Sequence, residues 1–380
     1  MPVPYRHPLI FSQWPRAGLA SAAIAGFDRR WASVAGVLSF AIVLPLSLGQ
    51  PPPTARAPDR ERALIEARRL IGSHEPRRAL DSILIPLASE YPDDPQVHLL
   101  AGEAHFALDE FEAAIRAFEL GLARAPHFRG KVFNLGRAYQ LSGHLDQASQ
   151  VFAAMVTEDD RDLRTKGHFG LGLVEQARGD DVAAERSFEA ALALDPGAHR
   201  PLYEIGLLRQ RIGQLAKAAV AFENVLALRP LHHGAAYNLA LVYARLGEPD
   251  KSQRARVLHG NIIAGKKEIS SLRDRIAEHP TDPAVPTAIA EVYRRLGSPM
   301  EALPWLRRAL DLAPSDPSLG LAFADSCRRA GRPAEAERAY QALLARTPPI
   351  EAALAPLLEL LRARGADAEA QRLAARFGER

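Results

Sequence analysis

Three observations predict an all-α chain of stacked antiparallel helix pairs. The first is the stretch 199–230, HRPLYEIGLLRQRIGQLAKAAVAFENVLALRP, which reads as two amphipathic helices around Gly213. Tyr203, Ile205, Leu207 and Leu208 belong to the first helix, and Ala218, Phe222, Val225 and Leu226 to the second. Pro230 closes the unit. Neither helix is long enough to bury its apolar face alone, so the pair must stack on copies of itself. The second observation is that the copies are present. Gly102, Gly136, Gly172 and Gly206 recur where the first helix packs closely on the second, and Asp109, Gly143, Gly179, Gly213 and Gly247 mark the turn. Ala114, Ala148, Ala184 and Ala218 are followed four residues later by Phe118, Phe152, Phe188 and Phe222, with Pro126, Pro196 and Pro230 as stops. The step is 34 residues throughout, except for a single step of 36 near Leu163. The third is composition: Ala, Leu, Glu and Arg dominate, as a helical array requires.

Helix, turn, helix and proline at this period resemble the tetratricopeptide repeat, over roughly residues 61–380. The resemblance implies a right-handed superhelical solenoid of about eight repeats, with the first helix of each pair lining a concave groove.

Taken in order, residues 1–31 are a basic tail with Arg6, Arg16, Arg29 and Arg30. Residues 32–48, ASVAGVLSFAIVLPLSL, carry no charge. As a helix they span about 26 Å, slightly short of the roughly 30 Å hydrocarbon core. Trp31 sits where an interfacial anchor would, and the next basic residue after the run is Arg56. The expectation is a single-pass signal anchor in a bacterial inner membrane, with the repeats facing the periplasm or outside. Cleavage near Gly49 or Ala57, giving a secreted or periplasmic chain, is the alternative, and a buried helix of a soluble protein is the third. Residues 49–59 form a Pro-rich extended linker. An N-terminal block of repeats follows at 60–264, opening on a degenerate pair with Pro86 inside its second helix. In the unit that begins at 233, Ser252 replaces the small Ala and Arg256 stands at the Phe position. Residues 265–282 read as a joint carrying one extra amphipathic helix, Lys266 to His279. Residues 283–380 read as a C-terminal block ending in a polar cap.

Chemistry is sparse. The chain has no Gly-rich phosphate loop, HExxH, CxxC or GxSxG. His98 and His105 share a helix face but have no third ligand, so no metal is expected, and no cofactor is implied. The residues 158–162 lack the ligand spacing of a calcium loop and read as a solvated turn. Cys327, the single cysteine, reads as inert core. A net charge of +3 on 48 basic and 45 acidic residues gives no field that steers the chain toward nucleic acid.

Ladders are the informative features, because one position per repeat forms a line along one surface. On the mapping that the resemblance implies, Phe133, Phe169, Tyr203 and Tyr237 form a groove-facing aromatic rail for a partner protein or peptide. The same residues read equally as inter-repeat packing. Asn134 and Asn238 match asparagine positions of a carboxylate clamp, but Gly170 and Glu204 interrupt it. In the C-terminal block Glu291, Asp325 and Glu359 each precede an arginine by three residues: Arg294, Arg328 and Arg362. These are surface ion pairs, or a charged groove that reads acidic groups. The expected function is that of a non-enzymatic, membrane-tethered scaffold binding a partner in its groove. A structural subunit of a larger membrane assembly, binding through its convex face or its ends, is the alternative. An enzyme with a cryptic groove site is the third reading.

Overall fold

The computed structural model describes residues 57–378, and every regular element among them is helical. The first pair is α1 (Ala57–Gly72) and α2 (76–90). Next come α3 (Pro95–Ala107) with α4 (Phe111–Arg124), α5 (Val132–Leu141) with α6 (Leu145–Val156), and α7 (Arg161–Arg178) with α8 (Asp181–Leu194). They are followed by α9 (His199–Arg211) with α10 (Leu215–Leu228) and α11 (His233–Arg245) with α12 (Pro249–Glu278). The last are α13 (Ala284–Arg295) with α14 (Pro299–Leu312), α15 (Pro317–Arg329) with α16 (Pro333–Leu344), and α17 (Leu354–Ala363) with α18 (Asp367–Gly378). These are nine pairs among the described residues, against about eight expected. The chain divides into two compact units, one ending at Pro201 and one beginning at Leu202, inside α9.

The repeat period is visible as backbone conformation. Asp109, Gly143, Gly179, Gly213 and Gly247, and then Gly297, Gly331 and Gly365, all have positive φ. Reversing the chain between two helices in so few residues requires the left-handed region, which glycine enters without steric cost and aspartate tolerates. Above each turn the helices meet closely. A Cβ on Gly102, Gly136 or Gly172 would stand 2.7, 2.5 or 2.4 Å from the ring of Phe118, Phe152 or Phe188. In the second unit Gly206 meets Phe222 in the same way, at 2.6 Å. All four phenylalanines are fully buried. Later pairs keep the site with other residues, Leu306 and Tyr340, next to buried Ala302 and Ala336.

Two tyrosines tie first helices to the preceding second helix. The Tyr139 hydroxyl of α5 donates to Glu119 of α4, and that of Tyr243 of α11 donates to Glu223 of α10. Burial and the adjacent carboxylate raise the pKa of both phenols, that of Tyr243 to about 12. Burial also raises the Glu119 carboxyl above its usual 4.5, against the opposing hydrogen bond from Tyr139. A raised carboxyl pKa means the folded state holds the proton more tightly than the unfolded chain does. Its stabilising contribution is therefore full below pH 4.5 and is lost as pH rises through the folded value. Glu119→Gln is expected to be more stable than the parent at neutral pH, by up to about 1 kcal/mol, and to lose that advantage below the usual glutamate pKa. Thermal unfolding of the two proteins across that pH range checks the sign.

Pro86 lies inside the second helix of the first pair, as expected there: a π-helical turn, Leu80–Leu84, precedes it, and the wider turn accommodates a ring that would collide with the carbonyl four residues back. Other expectations are corrected. The linker expected at 49–59 ends earlier, because α1 begins at Ala57. No separate extra helix exists at 266–279: these residues are the C-terminal half of α12, a continuous helix of 30 residues. No proline interrupts the sequence between Pro249 and Pro280, and Ile262, Gly265 and Ile269 continue one buried stripe. The basic tail at 1–31 and the apolar run at 32–48 lie outside the described residues. Among those described, no helix is long and apolar enough to cross a membrane.

Candidate functional site

The aromatic positions of the first helices differ sharply in surroundings. In the first unit Phe133 lies against Phe152 and stacks on Phe169 at 6.1 Å, and Phe169 lies against Phe188. Both Phe133 and Phe169 are only 9% exposed. They are inter-repeat packing, as their apolar rings favour, and present little surface to a ligand. In the second unit Tyr203 of α9 packs on Phe222 and His232, and its hydroxyl accepts a 3.1 Å hydrogen bond from Asn238 Nδ2. Tyr237 of α11 differs from these three: it is 50% exposed, with the His259 ring of α12 beside it.

Asn238 is thus occupied, donating also to the Gly234 carbonyl at 2.9 Å, while Asn134 is half-buried on α5. Around Tyr237 the surface is polar and cationic. His233 of α11 meets Lys266 Nζ of α12 at 2.9 Å, and burial, Lys266 and His259 together push the His233 pKa down. A pair of donors this close needs the imidazole neutral, its Nδ1 accepting from the ammonium. Leu241, one helical turn after Tyr237, is also exposed.

The charged ladder is present in the second unit and is more connected than pairs at three-residue spacing require. Arg294 of α13 reaches its own Glu291 at 2.7 Å and also Asp325 of α15 at 3.6 Å. Arg328 of α15 reaches Asp325 at 2.8 Å and Glu359 of α17 at 3.8 Å. Arg329 adds a third contact to Asp325, at 3.0 Å. Arg294 and Arg328 each bridge two repeats, so the ladder ties first helices together before it offers charge to a ligand. Arg362 stands exposed at its end.

The other candidates resolve as local structure. His98 meets the Pro92 carbonyl at 2.6 Å and His105 meets Glu110 at 2.7 Å, so the two histidines face different partners. Among the described residues no group of three or more His, Cys, Asp or Glu could hold a metal ion. Cys327 is fully buried, and burial pushes its thiol up to about 11, which leaves little thiolate for nucleophilic chemistry. The acidic turn is not simply solvated. Glu158 is buried, and Asp160 caps α7 by accepting from the amides of Asp162 and Leu163.

The positions that sequence reasoning missed lie on α12. Gln253, Arg256, Val257 and Gly260 form an exposed flank, although one period earlier Ala219, Phe222 and Leu226 pack against α11 and Glu223 accepts the Tyr243 hydroxyl. The signal was Arg256 at a site that is Phe in four other repeats.

Two sequence-family models, each describing the tetratricopeptide repeat, match residues 66–127 and 202–348, together more than half of the chain. No curated protein matches the sequence. Among solved structures, a chain of the APC/C hetero-tetramer Cut9–Hcn1 is similar at 20% identity and a TM-score of 0.42, over 70% of this chain and 48% of that one. This chain therefore spans about half the length of that neighbour. MamA is similar at 22% identity and a TM-score of 0.37, over 44% of this chain and 96% of its own. The C-terminal part of a TPR repeat-containing protein from Cytophaga hutchinsonii is similar at 17% identity and a TM-score of 0.39, over 67% and 97%.

Proposed function

Because the chain is a tetratricopeptide repeat protein, and its helix pairs make it a protein-interaction scaffold, we propose that it holds a segment of a partner protein against the exposed face of its first helices. We place the contact in the second unit, at Tyr237 and Leu241 of α11. The observation that carries this reading is the half-exposed Tyr237 ring, at a position where Phe133 and Phe169 are buried. A large rigid aromatic left open beside a leucine one turn away is the kind of anchor that supplies binding energy at a protein interface. The charged ladder of α13, α15 and α17 holds its first helices in register, and exposed Arg362 adds selectivity for acidic groups.

The apolar run 32–48, with Arg29, Arg30 and Trp31 before it, tethers the scaffold to a bacterial inner membrane, with the repeats on the periplasmic side.

Affinity capture from the native host with the full chain tests both parts. The unaltered chain is expected in the membrane fraction, released by deletion of 32–48, and it should retain one partner. Tyr237→Ala with Leu241→Ala should weaken that partner by about tenfold or more at unchanged helicity. Equal retention by both proteins would remove the α11 face from the function, and a chain that is soluble with 32–48 intact would remove the tether.

A further inference from the structure

We infer that the bare flank shared by α11 and α12 docks an amphipathic helix of a partner protein, one with an acidic polar edge. The inference deepens the scaffold reading and rests on it. It starts from what an ordinary second helix does. In α10 the flank made by Ala219, Phe222, Glu223 and Leu226 is covered by the following first helix, α11. Ala219 and Phe222 are buried in one cluster with Leu239 and Tyr243, Leu226 packs against it, and Glu223 accepts the Tyr243 hydroxyl. One 34-residue period later the same positions are Gln253, Arg256, Val257 and Gly260. Gln253, Arg256 and Gly260 are exposed, and Val257 is 51% exposed.

The flank is bare because α13 docks elsewhere. It packs on the C-terminal half of α12, where Gly265 lets Leu296 and Val292 approach and where Ile269, Leu272 and Ile276 meet Ile289 and Tyr293. The chain has passed over the position where a next first helix would sit. Tyr237 and Leu241 are open for the same reason: Phe133 is covered by Phe169 of the following first helix, while among the described residues no such helix covers Tyr237. The result is an exposed surface that carries Tyr237 and Leu241 of α11 and Val257 and Gly260 of α12. A cavity of about 440 Å³ is lined by Ala244, Pro249, Gln253 and Arg256 of the same two helices.

Shape and charge select the occupant. A Cβ on Gly260 would meet nothing within 4 Å, so no contact among the described residues explains a glycine in mid-helix, a residue that costs about 1 kcal/mol there. Gly265, by contrast, is taken up by α13. A helix arriving from outside uses Gly260 for close approach and lays its apolar stripe on Val257 and Leu241. Arg256 and Lys267 have no carboxylate partner among the described residues, Arg245 reaches only the Gln210 carbonyl, and Glu248 is held by Lys251. Asp250 is the acidic residue in the lining of that cavity, beside Arg256, and acidic groups on the incoming helix are favoured by Arg256 and Lys267. The chain's own residues 1–56 carry five arginines against one aspartate and are repelled. A second copy meeting face to face would set Arg256 against Arg256.

The test uses two helix-stapled amphipathic peptides with the same Leu/Ala stripe, one flanked by Glu and one by Lys, titrated against the full chain by fluorescence anisotropy. The Glu peptide should bind about tenfold or more tightly than the Lys peptide, and Arg256→Glu should reverse the preference. Val257→Asp and Gly260→Leu, each on an exposed position and checked for unchanged helicity, should abolish binding of both. Equal binding of the two peptides, or a preference unmoved by Arg256→Glu, overturns the inference. So does a chain that dimerises on its own and loses the dimer with Val257→Asp, which assigns the face to a second copy. A host partner lost with Tyr237→Ala and Leu241→Ala, but bound normally by all three α12 variants, leaves the scaffold reading standing and sinks this one.

Discussion

Phe222→Ala is expected to destabilise the second unit by about 4 kcal/mol, because it empties a fully buried aromatic site that the surrounding helices cannot collapse into. The ring is clasped on both sides. Gly206 of α9 lies so close that its absent Cβ would stand 2.6 Å from Phe222 Cε1, and the Tyr203 ring lies 5.7 Å away. From the other side come Leu239 and Tyr243 of α11, in the same cluster. Denaturant unfolding should show a lower midpoint with little change of slope. Since each repeat touches only its neighbours, the loss should appear in one unfolding transition and leave the other nearly in place. The reciprocal change tests the same contact: Gly206→Ala drives a methyl into the ring and should cost about 1–3 kcal/mol. Combined with Phe222→Leu, whose shorter side chain withdraws from the glycine, it should cost clearly less than the sum of the two. A Phe222→Ala penalty below about 1 kcal/mol would show that α9 and α11 close over the void, and that the glycine spacing does not set the repeat.

That contact is also the part of the molecule most legible in the sequence. Glycine on one helix and phenylalanine on the next recur at a fixed spacing because backbone and ring must interlock, so the pattern reports three-dimensional contact directly. The turn residues are legible for the same reason: only a few residue types tolerate positive φ, and they stand at Asp109, Gly143 and their successors. Exposure is far less legible. Phe133 and Tyr237 occupy one repeat position and both are large aromatics, yet one is packed and the other half open. Their difference depends on whether a further helix follows in space, which no residue at either position encodes. Arg256 at a phenylalanine site signalled that something changed at α12. Whether the chain broke into a new helix or ran on as one depended on what α13 found to pack against, and Gly265 and Ile269 supplied a surface that keeps the helix whole.

The ion-pair ladder carries the second large effect. Asp325→Asn is expected to cost about 2 kcal/mol, well above the few tenths typical of an exposed helix pair. Asp325 is only 21% exposed and is shared by Arg294, Arg328 and Arg329. Replacing its charge leaves three guanidinium groups facing one amide. Two of them, Arg294 and Arg328, already hold a buried Nε with no hydrogen-bond partner. Removing the acid therefore converts an attraction into an uncompensated repulsion, which costs more than the pair itself contributes. The arginines are one-quarter to one-half exposed or more, which keeps the figure below that of a fully buried pair. Salt separates this hub from a row of independent surface pairs. Added salt should weaken the parent by screening attraction and strengthen the variant by screening repulsion, so the gap narrows as ionic strength rises. Glu291→Gln, at the exposed end of the ladder, removes one contact of a single arginine and should fall within about 0.5 kcal/mol of the parent. Thermal unfolding of all three proteins at low and high salt makes the comparison. Equal, salt-independent losses for Asp325→Asn and Glu291→Gln would mean that the ladder is a row of independent surface charges rather than a brace between α13, α15 and α17.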